Sequence, residues 1–243
     1  MTKPKNVLIL GCGRSGTSIF GELFKHLSAY QYYSEPPFAD LLTLNYDLPL
    51  AVKVPKESPE YLPTPGLSFP LDTFFEVVPG QTRVFWLVRH PLDTICSLKV
   101  GISRNWGHHP RPEDWQDWLS RSLVEQCAHH WNYINSVSFS IVENITSLVK
   151  FEDMIADPQV FAERVCEQTG LNKVRYHDEI ETWAQRVQNT NNKDFVEAET
   201  SREYSTNDHQ SRVGRWKENM TEEEVQQVLP IIADTAKKMD YAL

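Results

Sequence analysis

The residues best suited to chemistry come early, in the stretch Gly11-Cys12-Gly13-Arg14-Ser15-Gly16-Thr17-Ser18, directly after the apolar run Val7-Leu8-Ile9-Leu10. A glycine-rich turn between a buried strand and a helix presents successive backbone N–H groups and a helix N-terminus to an anion. The stretch departs from the triphosphate loop G-x-x-x-x-G-K-[ST], whose lysine reaches the β- and γ-phosphates and whose last hydroxyl binds magnesium. Thr17 stands in the lysine position, and Arg14 is the only basic side chain in the loop. The expected ligand is therefore an anion other than a magnesium-bound triphosphate, cradled by Gly11, Gly13, Arg14, Ser15, Gly16, Thr17 and Ser18.

A second basic position follows another buried strand, Arg83 to Val88, which runs into Arg89, His90 and Pro91. Triphosphate enzymes of this architecture usually carry a metal-holding aspartate near the end of such a strand; this chain has an arginine. Pro91 suits the first turn of a helix, where its missing N–H costs nothing. That helix, expected from Leu92 to about Gly101, brings Ser97 round within two turns, where its hydroxyl can share an anion with Arg89. Two anion sites with no evident metal ligand between them point to a cofactor carrying phosphate at two places.

The elements that must hold these groups read as one α/β unit spanning 1–243. Thr17 to Tyr30 carries a helical stripe of Ile19, Phe20, Leu23, Phe24 and Leu27, which packs the loop onto the sheet. Residues 34–70 are proline-rich and read as irregular connections around a strand over Ala51 to Val54. Segment 101–112 is expected to be a mobile loop and 113–135 a long helix. Thr146 to Phe151 reads as a strand, Pro158 to Thr169 as a helix ended by Gly170, and Thr221 to Met239 as a terminal helix with an acidic start. Residues 189–210 are polar and mixed, a second expected mobile segment.

With 243 residues, 40% of them hydrophobic, the chain can bury a full core. A net charge of −9 argues against a general nucleic-acid or anionic-membrane binder. The start, Met1-Thr2-Lys3-Pro4-Lys5, leads into a strand too short for a signal-peptide core or a membrane span. Cys12, Cys96, Cys127 and Cys166 form no C-x-x-C pair. Free thiols and a cytoplasmic location are expected.

In this order the motifs resemble the sulfotransferases that use 3′-phosphoadenosine-5′-phosphosulfate (PAPS). Gly11 to Ser18 resembles the family's 5′-phosphosulfate loop, and Arg89-x-Pro91 with Ser97 resembles its 3′-phosphate motif R-x-P-x-x-x-x-x-S. Val52-Lys53-Val54-Pro55 is similar to the lysine-bearing strand, Phe151-Glu152-Asp153 with Asp157-Pro158 to the Y-E-D-x-x-x-x-P segment, and Gly214-Arg215-Trp216-Lys217 to the C-terminal G-x-W-K stretch. The resemblance implies a P-loop-like three-layer fold, with a central parallel sheet flanked by helices. It also implies metal-independent, in-line transfer of a sulfuryl group to a hydroxyl of a small molecule or carbohydrate, with 3′-phosphoadenosine-5′-phosphate (PAP) as product.

Roles follow from the same resemblance. Arg14 faces the 5′-phosphosulfate, Lys53 approaches the sulfuryl group, and Arg89 and Ser97 hold the 3′-phosphate. Cytosolic members carry a histidine two residues after the strand lysine, where this chain has Pro55. Ser34-Glu35-Pro36 resembles the E-P segment of carbohydrate members, so Glu35 is the expected base, provided partial burial raises its pKa. Glu57, His108 and His109 stand in reserve. Phe151 is placed near the adenine or in the core, and Trp216 either stacks on adenine or anchors the last helix. The upstream R-K-G of cytosolic members falls on His209-Gln210-Ser211, so Arg212 is the expected substitute. Two alternatives stay open: a small-molecule kinase with a degenerate phosphate loop, and a non-catalytic nucleotide-binding protein.

Overall fold

The computed structural model describes residues 4–187 and 212–243. Five parallel strands, β1 (Asn6–Gly11), β2 (Gln31–Ser34), β3 (Leu50–Lys53), β4 (Thr82–Val88) and β5 (Thr146–Lys150), lie in the order β2-β3-β1-β4-β5. The helices are α1 (Thr17–His26), α2 (Phe38–Leu41), α3 (Leu71–Val77), α4 (Pro91–Ser103), α5 (Leu123–Tyr133), α6 (Phe139–Val142), α7 (Phe151–Ala156), α8 (Pro158–Thr169), α9 (His177–Arg186), α10 (Trp216–Asn219) and α11 (Glu222–Lys238).

Strands covered on both faces need apolar residues at successive positions, and β1 and β4 supply them. Val7 and Ile9 join Phe85 and Leu87 in a core with α1, α7, α8 and α9. Leu8 and Leu10 join Val84, Trp86 and Val88 in a second core with α4, α5 and α11. The result is three layers, as the sequence implies. Two buried indoles tie elements together: Trp183 Nε1 donates to the Ile19 carbonyl and Trp86 Nε1 to Asn135 Oδ1, each at 3.1 Å. The register pairs Gly11 with Leu87, Ile9 with Lys53 and Ser34 with Lys53. Thus the ends of β1, β2, β3 and β4 share one edge of the sheet, where open parallel sheets bind ligands.

Several elements differ from the sequence reading. Helix α1 stops at His26 because Leu27 turns extended, and the chain then forms β2, for which the sequence suggests no strand. The long helix expected from 113 starts only at Leu123. Ser122 and Glu125 form a capping box there, and a short 3-10 turn, Asp117–Ser120, precedes it. Helix α9 was not anticipated. Helix α4 extends to Ser103, and the segment after it is pinned by fully buried Trp106, whose carbonyl accepts from Arg111 Nε at 2.9 Å. Residues 189–210 lie outside the described residues. All four cysteines are free and buried.

Candidate functional site

The loop after β1 is shaped by close backbone approaches. A Cβ on Gly11, whose φ is +147°, would sit 2.3 Å from the Leu87 carbonyl oxygen. One on Gly16, at φ +94°, would sit 2.4 Å from the Phe151 ring. Arg14 adopts φ +67°, a left-handed conformation that costs a side-chain-bearing residue about 1–2 kcal/mol. From there its Nε donates to Ser97 Oγ at 3.2 Å, and its carbonyl accepts from Arg89 Nη1 at 3.3 Å. No side chain caps the start of α1, so its first N–H groups point at the loop. Ser15 is fully buried and its Oγ has no partner among the described residues.

Beside the loop opens a cleft of about 590 Å³, lined among others by Arg14, Ser18, Glu35, Lys53, His108 and His109. Lys53, only 3% exposed, donates from Nζ to Glu35 Oε1 at 2.6 Å and to Ser18 Oγ at 3.0 Å. The other Glu35 oxygen, Oε2, lies 3.1 Å from Lys56 Nζ. Burial pushes the Glu35 carboxyl upward, but Lys53 and Lys56 together outweigh it and hold the group below its ordinary value. This is opposite to the rise expected of Glu35 from its sequence context. His108 is pushed down to about 4, first by burial and then by the Arg14 charge. Burial and Arg111 likewise lower His109. Glu57 lines the same cleft, so all three reserve residues are gathered there.

The second basic group lies around the start of α4. Arg89, 5% exposed, donates from Nη2 to the Arg212 carbonyl and lies with its guanidinium 4.6 Å above the Phe151 ring. Burial lowers its pKa, opposed by Asp93. Arg212 is also buried and is pushed down to about 10 by burial and by Arg89. Burial and the charges of Arg89 and Arg215 do the same to Arg14, again to about 10. Among the described residues, Arg89 Nε and both Arg212 Nη atoms are buried without a hydrogen-bond partner. An unmet buried donor costs about 1–3 kcal/mol, more when charged. Three such donors and Ser15 Oγ in one neighbourhood form a site built for an anion.

Asp93, fully buried, fastens this group together. Its Oδ2 accepts from the Gly214 N–H at 2.8 Å and its Oδ1 from the Trp216 N–H at 2.9 Å, with Arg89 Nη2 at 3.9 Å. The carboxylate thereby holds the segment bearing Arg212 and buried Arg215 against α4. Neither Asp93 nor Arg215 was singled out from the sequence. The sequence signal for Asp93 is its place as an acid in the first turn of the helix that Pro91 opens.

Two candidate cofactor contacts, Phe151 and Trp216, have packing partners within the protein. Phe151 is 1% exposed, sealed beneath Arg89 and Gly16; it supports the guanidinium from below and has no open face for an adenine. Trp216 stacks parallel to His90, ring centroids 6.2 Å apart, which matches the anchoring alternative. The adjacent histidines of α5 pack inward: His129 pairs with Asp114 at 2.7 Å and stacks on Trp118, and His130 Nδ1 accepts from Trp106 Nε1 at 3.2 Å.

Comparison with known proteins agrees with this architecture. The family profile described as sulfotransferase domain matches residues 4–240. Among solved structures, a mouse sulfotransferase complexed with PAP superposes with a TM-score of 0.60 at 14% identity, over 98% of this chain and 86% of that one. The sulfotransferase domain from the curacin biosynthetic pathway gives 0.60 at 14% identity, over 100% of both chains. A retinol dehydratase in complex with androsterone and inactive cofactor PAP gives 0.56 at 15%, over 100% of this chain and 84% of that one. No curated protein sequence matches the chain. Among the described residues, no helix is long and apolar enough to cross a membrane.

Proposed function

The chain belongs to the sulfotransferase domain family, and on that premise we propose that it transfers a sulfuryl group from PAPS to an acceptor hydroxyl of a small molecule or carbohydrate. The observation that supports the donor's identity is a set of buried donors that have no partner among the described residues, Ser15 Oγ, Arg89 Nε and Arg212 Nη1 and Nη2, beside Arg14 and Arg215. A nucleotide with phosphate at both 3′ and 5′ positions fits them. The uncapped start of α1, with Ser15, Thr17 and Ser18, would hold the 5′ end; Arg89, Ser97 and Arg212 would hold the 3′-phosphate. When bound, the donor supplies a sulfuryl group on a phosphate leaving group. The retinol dehydratase and the mouse enzyme were solved with PAP, which supports the same choice here.

Each side chain then has a defined task. Lys53, aimed by Glu35 and Ser18, neutralises charge that develops at the transferred group. Arg14 does so on the phosphate side, its planar fork braced by Ser97. Glu35, clamped by two lysines, keeps Lys53 in place. Fixed cations and N–H groups supply the neutralisation that a metal gives in phosphoryl transfer, so we read the reaction as metal-independent. We also read 1–243 as one functional unit.

Calorimetric titration with PAP, ADP and magnesium ATP at one salt concentration tests the proposal. PAP is expected to bind without magnesium and at least about tenfold more tightly than ADP, a difference of about 1.4 kcal/mol. Preference for magnesium ATP would overturn the proposal and favour a kinase.

A further inference from the structure

We propose that His108 is the group that takes the proton from the acceptor hydroxyl, an inference that rests on the sulfotransferase reading above. The side chain with the better sequence credentials, Glu35, is committed elsewhere, its Oε1 2.6 Å from Lys53 Nζ and its Oε2 3.1 Å from Lys56 Nζ. Accepting a proton there would weaken both ion pairs and release the lysine that faces the reacting group.

His108 lines the same cleft and is seated by features from three separate elements. On one side its Nδ1 lies against Gly13 of the anion loop, 3.1 Å from where a Cβ would stand. On the other, its Nε2 lies against Gly101 of α4, where a Cβ would come within 2.1 Å, so only glycine leaves room for the ring. Behind it, the ring of fully buried His130 is 5.9 Å away, itself fixed by the Trp106 indole. A ring held on a rigid support, with one nitrogen turned to the anion loop, has the geometry a general base needs.

The charges around the ring make this base conditional on the donor. Arg14 from the loop and His109 from its own segment oppose protonation, Glu35 after β2 favours it, and His130 from α5 lies behind. Burial and Arg14 favour the neutral imidazole. An anion resting on Arg14 cancels the repulsion that Arg14 exerts, so the ring becomes more basic when the donor is in place. In the transfer His108 takes the hydroxyl proton as the acceptor oxygen bonds to sulfur. The bond between sulfur and the bridging oxygen breaks, its electron pair stays on the phosphate of PAP, and the imidazolium later returns its proton to solvent.

The test is a histidine NMR titration of the full chain, free and saturated with PAP, with His108→Gln assigning the resonance. The His108 midpoint is expected to rise by at least about one pH unit, a tenfold gain in proton affinity. PAP binding with an unmoved midpoint overturns the proposal, and failure of PAP to bind removes the sulfotransferase premise and the proposal with it. A second arm follows PAP release from PAPS with water as acceptor across pH. The wild type is expected to lose rate on the acid side with the midpoint seen by NMR. His108→Gln is expected to be about 10²-fold slower with that limb abolished and PAP affinity within about threefold, whereas Glu35→Gln, although slower, keeps the limb. A His108→Gln variant with the wild-type rate or limb refutes the assignment.

Discussion

Replacing Asp93 with asparagine tests whether one buried carboxylate assembles the nucleotide site. Asp93 is 0% exposed and accepts from two backbone N–H groups, Gly214 at 2.8 Å and Trp216 at 2.9 Å. Hydrogen bonds to a charged acceptor contribute about 1.5–3 kcal/mol each. Asparagine keeps one carbonyl acceptor but turns an NH₂ toward the other N–H, so one bond is lost, the survivor is weakened, and Arg89 loses the carboxylate 3.9 Å away. The expected loss is about 2–4 kcal/mol, which for a chain of this size lowers Tm by about 4–16 °C. Because the released segment bears Arg212 and Arg215, PAP affinity should fall as well. Thermal unfolding by circular dichroism with and without PAP, together with calorimetry, reads both effects. Ligand at a hundredfold excess over Kd should restore about 2.7 kcal/mol to whichever protein it binds. A variant whose Tm moves by less than about 2 °C and whose PAP affinity is unchanged would refute the latch.

Arg89→Ala should weaken PAP at least about 10²-fold, because it removes a buried charged donor, while ADP changes far less; equal losses for both nucleotides would contradict a 3′-phosphate contact. Gly11→Ala should destabilise the fold by more than about 2 kcal/mol, since the added Cβ meets the Leu87 backbone oxygen at 2.3 Å and φ is positive; an unaltered melting curve would show that β1 and β4 can separate there. Glu35, held below its ordinary 4.5, contributes stability that is present above that value and is lost as pH falls through the lowered one. The stability gap between wild type and Glu35→Gln should therefore narrow below about pH 4.5 and be constant near pH 7, as followed by urea melts. Ser122→Ala should cost about 1 kcal/mol through the lost α5 cap, read as a small fall in Tm.

How much was legible in the sequence depended on range. The anion loop, the Arg89-Pro91 strand exit and the terminal helix with its Thr221 cap are local patterns, and each appears within a residue or two of its expected place. The start of α5 differs although its signal is local too: the expected helix begins at 113, whereas the Ser122 and Glu125 capping box sets the start at Leu123. The gathering of Glu35, Lys53 and Lys56 was not readable, because it depends on β2 pairing with β3 so that Ser34 lies opposite Lys53. For the same reason the double pairing of Glu35 and its downward shift are not visible in the sequence. The burial of Phe151 beneath Arg89 likewise depends on β5 lying beside β4.

The Asp93 fastening also bears on how the chain is made. Its two hydrogen bonds join residues 121 and 123 positions apart. Domains form from the N-terminal side as synthesis proceeds, so a nascent polypeptide that has emerged through α9 already owns the loop, Arg89 and the whole sheet. It still lacks Arg212, Arg215 and the amides that Asp93 is shaped to receive. On the proposed reading, the nucleotide site is therefore complete only once the segment bearing Arg212 and Arg215 has been added, later than the sheet that carries the rest of it.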